Sequence, residues 1–162
     1  HRIDKDTSGL LVVAKHPHAQ EQLKGQLHTP AFRRIYLAVC DGTPYPAQGV
    51  IDAPIGRAPG SLLARRVDPE GQSARTRYRV VCTCGPRSLV ELQLDTGRTH
   101  QIRVHMAHMG CPLTGDFLYG REAPALITRP ALHSARLELT HPITRARLEF
   151  TAPLPEDMKV LL

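Results

Sequence analysis

Five stretches of this chain alternate apolar and polar side chains with a period of two, and no other feature narrows its fold as much. They cover residues 33–40, 76–83, 88–95, 132–139 and 145–152. A period of two is the strand period, since successive side chains leave opposite faces of a pleated sheet. In 33–40, Ile35, Leu37 and Val39 share one face, and Arg34, Tyr36 and Ala38 the other. Segments 76–83 and 88–95 are separated by a turn at Gly85 and Pro86, which predicts an antiparallel pair. In 145–152, Ala146, Leu148, Phe150 and Ala152 share a face, and Thr140-His141-Pro142 begins the turn before it. The apolar run 9–14 (GLLVVA) is expected to be a buried strand, and Val50-Ile51 to begin a short one.

Only two stretches carry the helical period. From Pro17 to about Leu27, the residues Ala19, Leu23 and Leu27 fall four apart and make a narrow stripe on a surface helix. From Gln101 to Met109, Ile102, Met106 and Met109 share a face, and Gly110 is a natural stop. Segment 53–71 is rich in Pro, Gly and Arg and reads as a long basic loop or irregular hairpin. Residues 111–120 read as irregular, 121–130 as a loop or short helix, and the tail from Pro153 as polar with an apolar end. Six or seven mostly antiparallel strands with two helices make an α+β fold, a mixed, mainly antiparallel sheet with flanking helices and loops. A chain of 162 residues supports one such domain, spanning 1–162. It opens on the dense polar sequence His1-Arg2-Ile3-Asp4, which reads as a piece cut inside a larger domain.

Composition points to the partner. Lys and Arg number 21 against 15 Asp and Glu, a net charge of +6, which favours a polyanion such as RNA or DNA. No apolar run reaches membrane-span length and no signal peptide is visible, so a cytoplasmic chain with no membrane partner is expected. Cys40, Cys82, Cys84 and Cys111 contain no CxxC pair and read as reduced thiols. Seven aromatic residues and no Trp argue against a sheet surface that stacks bases through strand aromatics.

The chemistry concentrates in Arg98-Thr99-His100-Gln101-Ile102-Arg103-Val104-His105, an anion-gripping cluster at a strand-to-helix turn. Asp4, followed by Thr7, Ser8 and Gly9, is a candidate reactive carboxylate; composition alone favours a turn-forming Asp that binds nearby backbone N–H groups. Arg103 lies about 100° round the helix from Ile102. It reads either as a surface Arg or as the partner of a buried carboxylate. Tyr36 reads either as an amphipathic surface residue or as a cleft wall. His100, His105 and His108 raise the thought of a metal, but zinc-ligand spacing is missing and no metal site is expected. Nucleotide-binding glycine loops and a GxSxG elbow are absent.

Four segments together resemble a known family. HRIDKDTSGLLVVAK is similar to the HRLD-x-x-T-S-G signature of the RluA/RluD-type pseudouridine synthases, with Ile3 in place of the usual Leu. RRIYLAV resembles their Tyr-bearing strand, and TGRTHQIRVHMAHMGCPLTGD their second long signature. ALHSARLELTHP resembles their C-terminal strand, with Ser134 in place of the common Ala. The resemblance implies a pseudouridine synthase-like catalytic domain, amino-terminally truncated, that lacks its first strands and any S4 RNA-binding domain. An exposed sheet edge is expected in consequence.

It also implies a function: isomerisation of uridine to pseudouridine in structured RNA, without cofactor, on a flipped-out base. Asp4 matches the essential carboxylate, Arg103 its basic partner, and Tyr36 the residue that stacks on the base. Arg2 matches the Arg that helps extrude the nucleotide, and Leu132 the apolar wall behind it. Thr7, Arg98, Thr99, His100 and Gln101 are expected to support or touch the substrate, and Arg57, Arg65, Arg66, Arg77 and Arg79 to meet phosphates. APIGRAP and QSARTRYRVV resemble the RluD branch, so ribosomal RNA is favoured over tRNA. A monomer is expected. The alternatives are a non-catalytic RNA-binding remnant, an inactive fragment of such an enzyme, or a hydrolase using Asp4 and His100.

Overall fold

The alternating segments build one sheet. The computed structural model describes residues 1–162. Its elements in chain order are β1 (Ser8–Gly9), α1 (Pro17–Gln26), β2 (Arg33–Asp41), β3 (Gln48–Asp52), β4 (Ile55–Arg57) and β5 (Arg65–Val67). They continue with β6 (Arg75–Cys84), β7 (Arg87–Leu94), α2 (Gln101–His108), β8 (Leu132–Thr140), β9 (Arg147–Thr151) and α3 (Glu156–Lys159). The seven-stranded sheet runs β1-β8-β2-β7-β6-β3, with β9 paired to β8. All its pairings are antiparallel except β1 with β8. The fold is α+β. The basic segment 53–71 forms a separate two-stranded hairpin of β4 and β5.

β2 lies between β7 and β8 and is buried on both faces. Tyr36, Ala38 and Cys40 pack on one side with Val90, Leu92, Ile102 and Met106. Val39 packs on the other with Leu89, Met158 and Leu161. Tyr36 is therefore no surface residue; it is 4% exposed beneath α2. Fully burying Leu92 or Met106 contributes roughly 1.5–3 kcal/mol each. α2 is enclosed rather than amphipathic, with every residue from Gln101 to Met106 buried. The expected stripe of α1 does face inward: Leu23 and Leu27 pack on Phe32, Leu137 and Leu139.

Two expectations fail. Residues 10–14 are extended but leave the sheet after Gly9, because β9 occupies the same edge of β8 from Arg136 onward. Alternation survives without a ladder: Leu10 and Val12 pack inward, while Leu11 and Val13 are exposed. Segment 121–130 is a loop, one of its two expected forms. The tail from Pro153, where no helix is expected, forms one, α3, and this end of the chain buries Met158 and Leu161.

Gly9 closes the join of β1 to β8. Its φ is +99°, and a Cβ there would stand 2.2 Å from the backbone oxygen of Ser134. Only glycine lets the loop carrying Asp4 approach β8 this closely.

Candidate active site

The site forms where the loop before β1, the start of β2 and the β7–α2 turn converge. Gln101 ties that turn. Its Oε1 accepts from Thr96 Oγ1 at 2.8 Å and the Arg98 N–H at 2.9 Å. Its Nε2 donates to Arg75 O at 3.0 Å and Thr76 Oγ1 at 2.9 Å. All four hydrogen-bonding capacities of the amide are thus used internally, so Gln101 shapes the turn. His105 extends the network, pairing through Nδ1 with Thr76 Oγ1 and through Nε2 with Ala53 O, each at 2.9 Å. Burial holds its pKa below the ordinary value, against the Ala53 hydrogen bond, and the ring is a neutral core histidine. The turn delivers His100 in a left-handed conformation, φ 57°, at the head of α2.

Arg103 is 5% exposed and gripped from behind. Its Nε and Nη2 donate to Asp116 Oδ2 and Oδ1, each at 2.7 Å. Asp116 is itself fully buried and accepts the backbone N–H groups of Leu118 and Tyr119 at 3.0 and 3.2 Å. The ring of Tyr119 lies 5.0 Å from the guanidinium carbon. The remaining edge faces forward, with Nη1 at 3.9 Å from Asp4 Oδ2. Burial alone would lower the Arg103 pKa; the hydrogen bonds and charge of Asp116, with the charge of Asp4, outweigh it and hold the group above its ordinary value. The contact expected between Arg103 and Asp4 exists, but the tight partner is Asp116, the last residue of the TGRTHQIRVHMAHMGCPLTGD stretch, for which no role was expected.

Asp4 does not cap its own loop. Only its backbone carbonyl joins the turn, accepting the Thr7 N–H at 3.0 Å. The carboxylate takes no hydrogen bond from the protein and is about a quarter exposed. It faces a cavity of about 300 Å³ that Arg2, Thr7, Tyr36, Arg98, Thr99, His100, Gln101 and Leu132 also line. Arg103 stands behind this wall. Burial pushes the Tyr36 phenol up to about 12; Arg34 opposes the shift and Asp4 adds to it. The phenol therefore stays protonated at neutral pH. Arg34 is a further wall residue, 5% exposed, whose Nη2 donates to Thr96 O at 3.3 Å.

A second cavity of about 340 Å³ adjoins the first at Arg98 and Thr99, and Arg57 and Arg65 line it. Neither Arg57 nor Arg65 has a carboxylate partner, whereas Arg66, Arg77 and Arg79 pair with Asp68, Asp95 and Glu91. The basic surface thus divides into free and paired guanidinium groups. The His100, His105 and His108 set does not converge: His100 faces the cavity, His105 is in the core and His108 is exposed.

The profile of the family described as RNA pseudouridylate synthase matches residues 1–108. The chain belongs to the RNA pseudouridylate synthase family. Its relatives place it in the RluA/RluD-type branch. It is 50% identical to an uncharacterized RNA pseudouridine synthase of Chloroflexus aurantiacus, covering 100% of this chain and 51% of that protein. It is 46% identical to the ribosomal large subunit pseudouridine synthase D of Nitrosomonas europaea, covering 100% of this chain and 49% of that protein. The chain spans about half the length of the curated relatives it matches. Among solved structures, human RNA pseudouridylate synthase domain containing 4 superposes with a TM-score of 0.79 at 27% identity, covering 98% of this chain and 72% of that one.

Proposed function

We propose that this pseudouridine synthase domain isomerises uridine to pseudouridine in structured RNA, with ribosomal RNA as the favoured substrate. One observation carries the reading: a carboxylate without hydrogen bonds, Asp4, stands in front of a locked guanidinium, Arg103, at the wall of a cavity closed by Tyr36 and Leu132. A nucleophilic carboxylate must stay ionised where water is scarce, and a buried cation behind it favours that form. An enzyme that rebuilds a base must extrude it and give it a surface to stack on. Tyr36 and Leu132 are the stacking and backing surfaces, and exposed Arg2 at the rim fills the space left in the duplex.

The chemistry is balanced within the substrate. The bond from ribose C1′ to uracil N1 breaks and a bond from C1′ to C5 forms. The C5 hydrogen leaves to solvent and N1 takes up a proton. Attack of Asp4 on C1′ or on the uracil ring makes the same demand for an ionised, unencumbered carboxylate. The reaction is redox-neutral and calls for no cofactor. The preference for ribosomal RNA draws on the relative named for the large ribosomal subunit, while the free Arg57 and Arg65 beside the site suit the phosphates of any RNA.

Incubation with a large-subunit ribosomal RNA transcript carrying carbon-5 tritiated uridine tests the proposal. Tritium should be released by the wild type and not by Asp4→Asn, which should still bind the RNA. Equal release by both would sink the assignment of Asp4.

A further inference from the structure

Tyr119 is claimed by no expectation above, yet it touches three parts of the site. Its ring lies beside the Arg103 guanidinium, its hydroxyl is 2.7 Å from His100 Nδ1, and its oxygen accepts the Arg65 N–H of the β4–β5 hairpin at 2.9 Å. We infer that Tyr119 fixes His100 as a hydrogen-bond donor to the 4-carbonyl oxygen of the everted uracil. Tyr119 is then a positioning residue and His100 a selector of uridine over cytidine; the inference rests on the uridine-isomerising reading of the cavity.

The hydrogen-bond accounting gives the direction. With the Arg65 N–H delivered to the phenol oxygen, the phenol proton needs an acceptor, and His100 Nδ1 is the one acceptor in reach. A neutral imidazole that accepts at Nδ1 carries its proton on Nε2. Nε2 has no protein partner and is not among the buried unpartnered atoms, so it is open on the side of the ring away from Tyr119. His100 lines the same cavity as Asp4.

The charged groups facing the ring come from every neighbouring element: Asp4 before β1, Arg103 on α2, Asp116 after α2 and Arg65 on β5. Burial outweighs the pull of Asp4 and keeps the ring neutral at pH 7. His100 also holds a left-handed backbone, φ 57°, that side-chain-bearing residues seldom adopt, and such strain concentrates where function requires it.

A fixed N–H donor distinguishes the two pyrimidines. Uracil offers a carbonyl oxygen at position 4, an acceptor. Cytosine offers an amino group there, a donor that would face a donor. Leaving that buried pair of donors unsatisfied disfavours cytidine.

Two measurements test the inference. Two-bond ¹⁵N–¹H correlation spectra of histidine-labelled protein at pH 7.5 should show His100 as the Nε2–H tautomer. Tyr119→Phe, which keeps the ring on Arg103, should convert it to a mixture of tautomers. In the tritium-release assay on the large-subunit ribosomal RNA transcript, His100→Ala should lower kcat/KM about tenfold. His100→Gln, whose amide nitrogen can stand near Nε2, should recover most of the loss. A charged or Nδ1–H His100 in the wild type, or an unchanged tautomer in Tyr119→Phe, would overturn the Tyr119 role. Gln no better than Ala would overturn the donor role. Absence of tritium release by the wild type from any RNA would defeat the function reading, and with it the uracil contact, while the spectra would still report on the Tyr119–His100 link.

Discussion

Asp4 and Asp116 both face Arg103, and the proposed function gives them opposite tasks that a pair of substitutions separates. Asp116 is fully buried and bonded at 2.7 Å twice, whereas Asp4 stands at 3.9 Å with 27% of its side chain exposed. Removing one partner of a buried ion pair strands the other charge and costs about 3–5 kcal/mol. Asp4 remains near enough to offset part of the Arg103 charge, so Asp116→Asn belongs at the lower end, about 3 kcal/mol. The Asp4–Arg103 pair is partly buried but long, at 3.9 Å and without a hydrogen bond, and Arg103 keeps Asp116 when Asp4 is lost, so Asp4→Asn should cost no more than about 1 kcal/mol. With a urea slope of about 2 kcal/mol per molar, the midpoint should fall by about 1.5 M for Asp116→Asn and by less than about 0.5 M for Asp4→Asn. Tritium release should vanish in Asp4→Asn even though its stability is nearly intact. Equal midpoint shifts would refute the division of labour, for Asp4 would then be a structural anchor. An unshifted Asp116→Asn would show that Arg103 does not depend on its buried partner.

Three further outcomes follow from the same structure. His105 and His133 are held below their ordinary pKa chiefly by burial, so the unfolded chain binds more protons than the folded one just below pH 6.5. Stability should be full above that pH and fall as the pH drops from about 6.5 towards the depressed folded values; urea midpoints at pH 7.5 and 5.5 measure it, and a flat profile would contradict the burial argument. Arg57→Ala and Arg65→Ala should each weaken binding to the ribosomal RNA transcript and reduce the slope of log affinity against log salt by about one, while Arg79→Ala, already paired with Glu91, should change the slope less. Gly9→Ala should destabilise by about 2–5 kcal/mol in thermal unfolding, since it combines a strained φ with a 2.2 Å contact to a backbone oxygen.

The sheet was legible because its strands obey a period that local sequence displays. β2, β6, β7, β8 and β9 all lie on alternating runs, and the Gly85–Pro86 turn announced the β6–β7 pair. Residues 10–14 misled because the same alternation arises in a segment packed on one side and denied a partner by β9. That denial depends on a strand about 140 residues later and leaves no local mark. α3 went unread because a four-residue helix carries a single turn of pattern. Burial of Tyr36 was likewise invisible, since its face of β2 is covered by Ile102 and Met106 of α2, far along the chain.

Asp116 shows why half of the site stayed hidden. It lies in an irregular segment, its backbone placed by Gly115 at φ +75°, and no periodicity identifies a carboxylate there as buried. Yet its presence decides what Arg103 can do for Asp4. Two carboxylates share one guanidinium, and Asp116 takes the side-on pair of hydrogen bonds. Had Asp4 taken them, its lone pairs would be occupied and its reactivity quenched by a tight ion pair. Because Asp116 satisfies Arg103 first, Asp4 receives the favourable field of the cation without its hydrogen bonds. The wall holds one more negative than positive charge among these three groups, and the surplus sits on the one carboxylate that faces the cavity. The structural ion pair and the unencumbered carboxylate facing the cavity are thus two consequences of a single guanidinium with two edges.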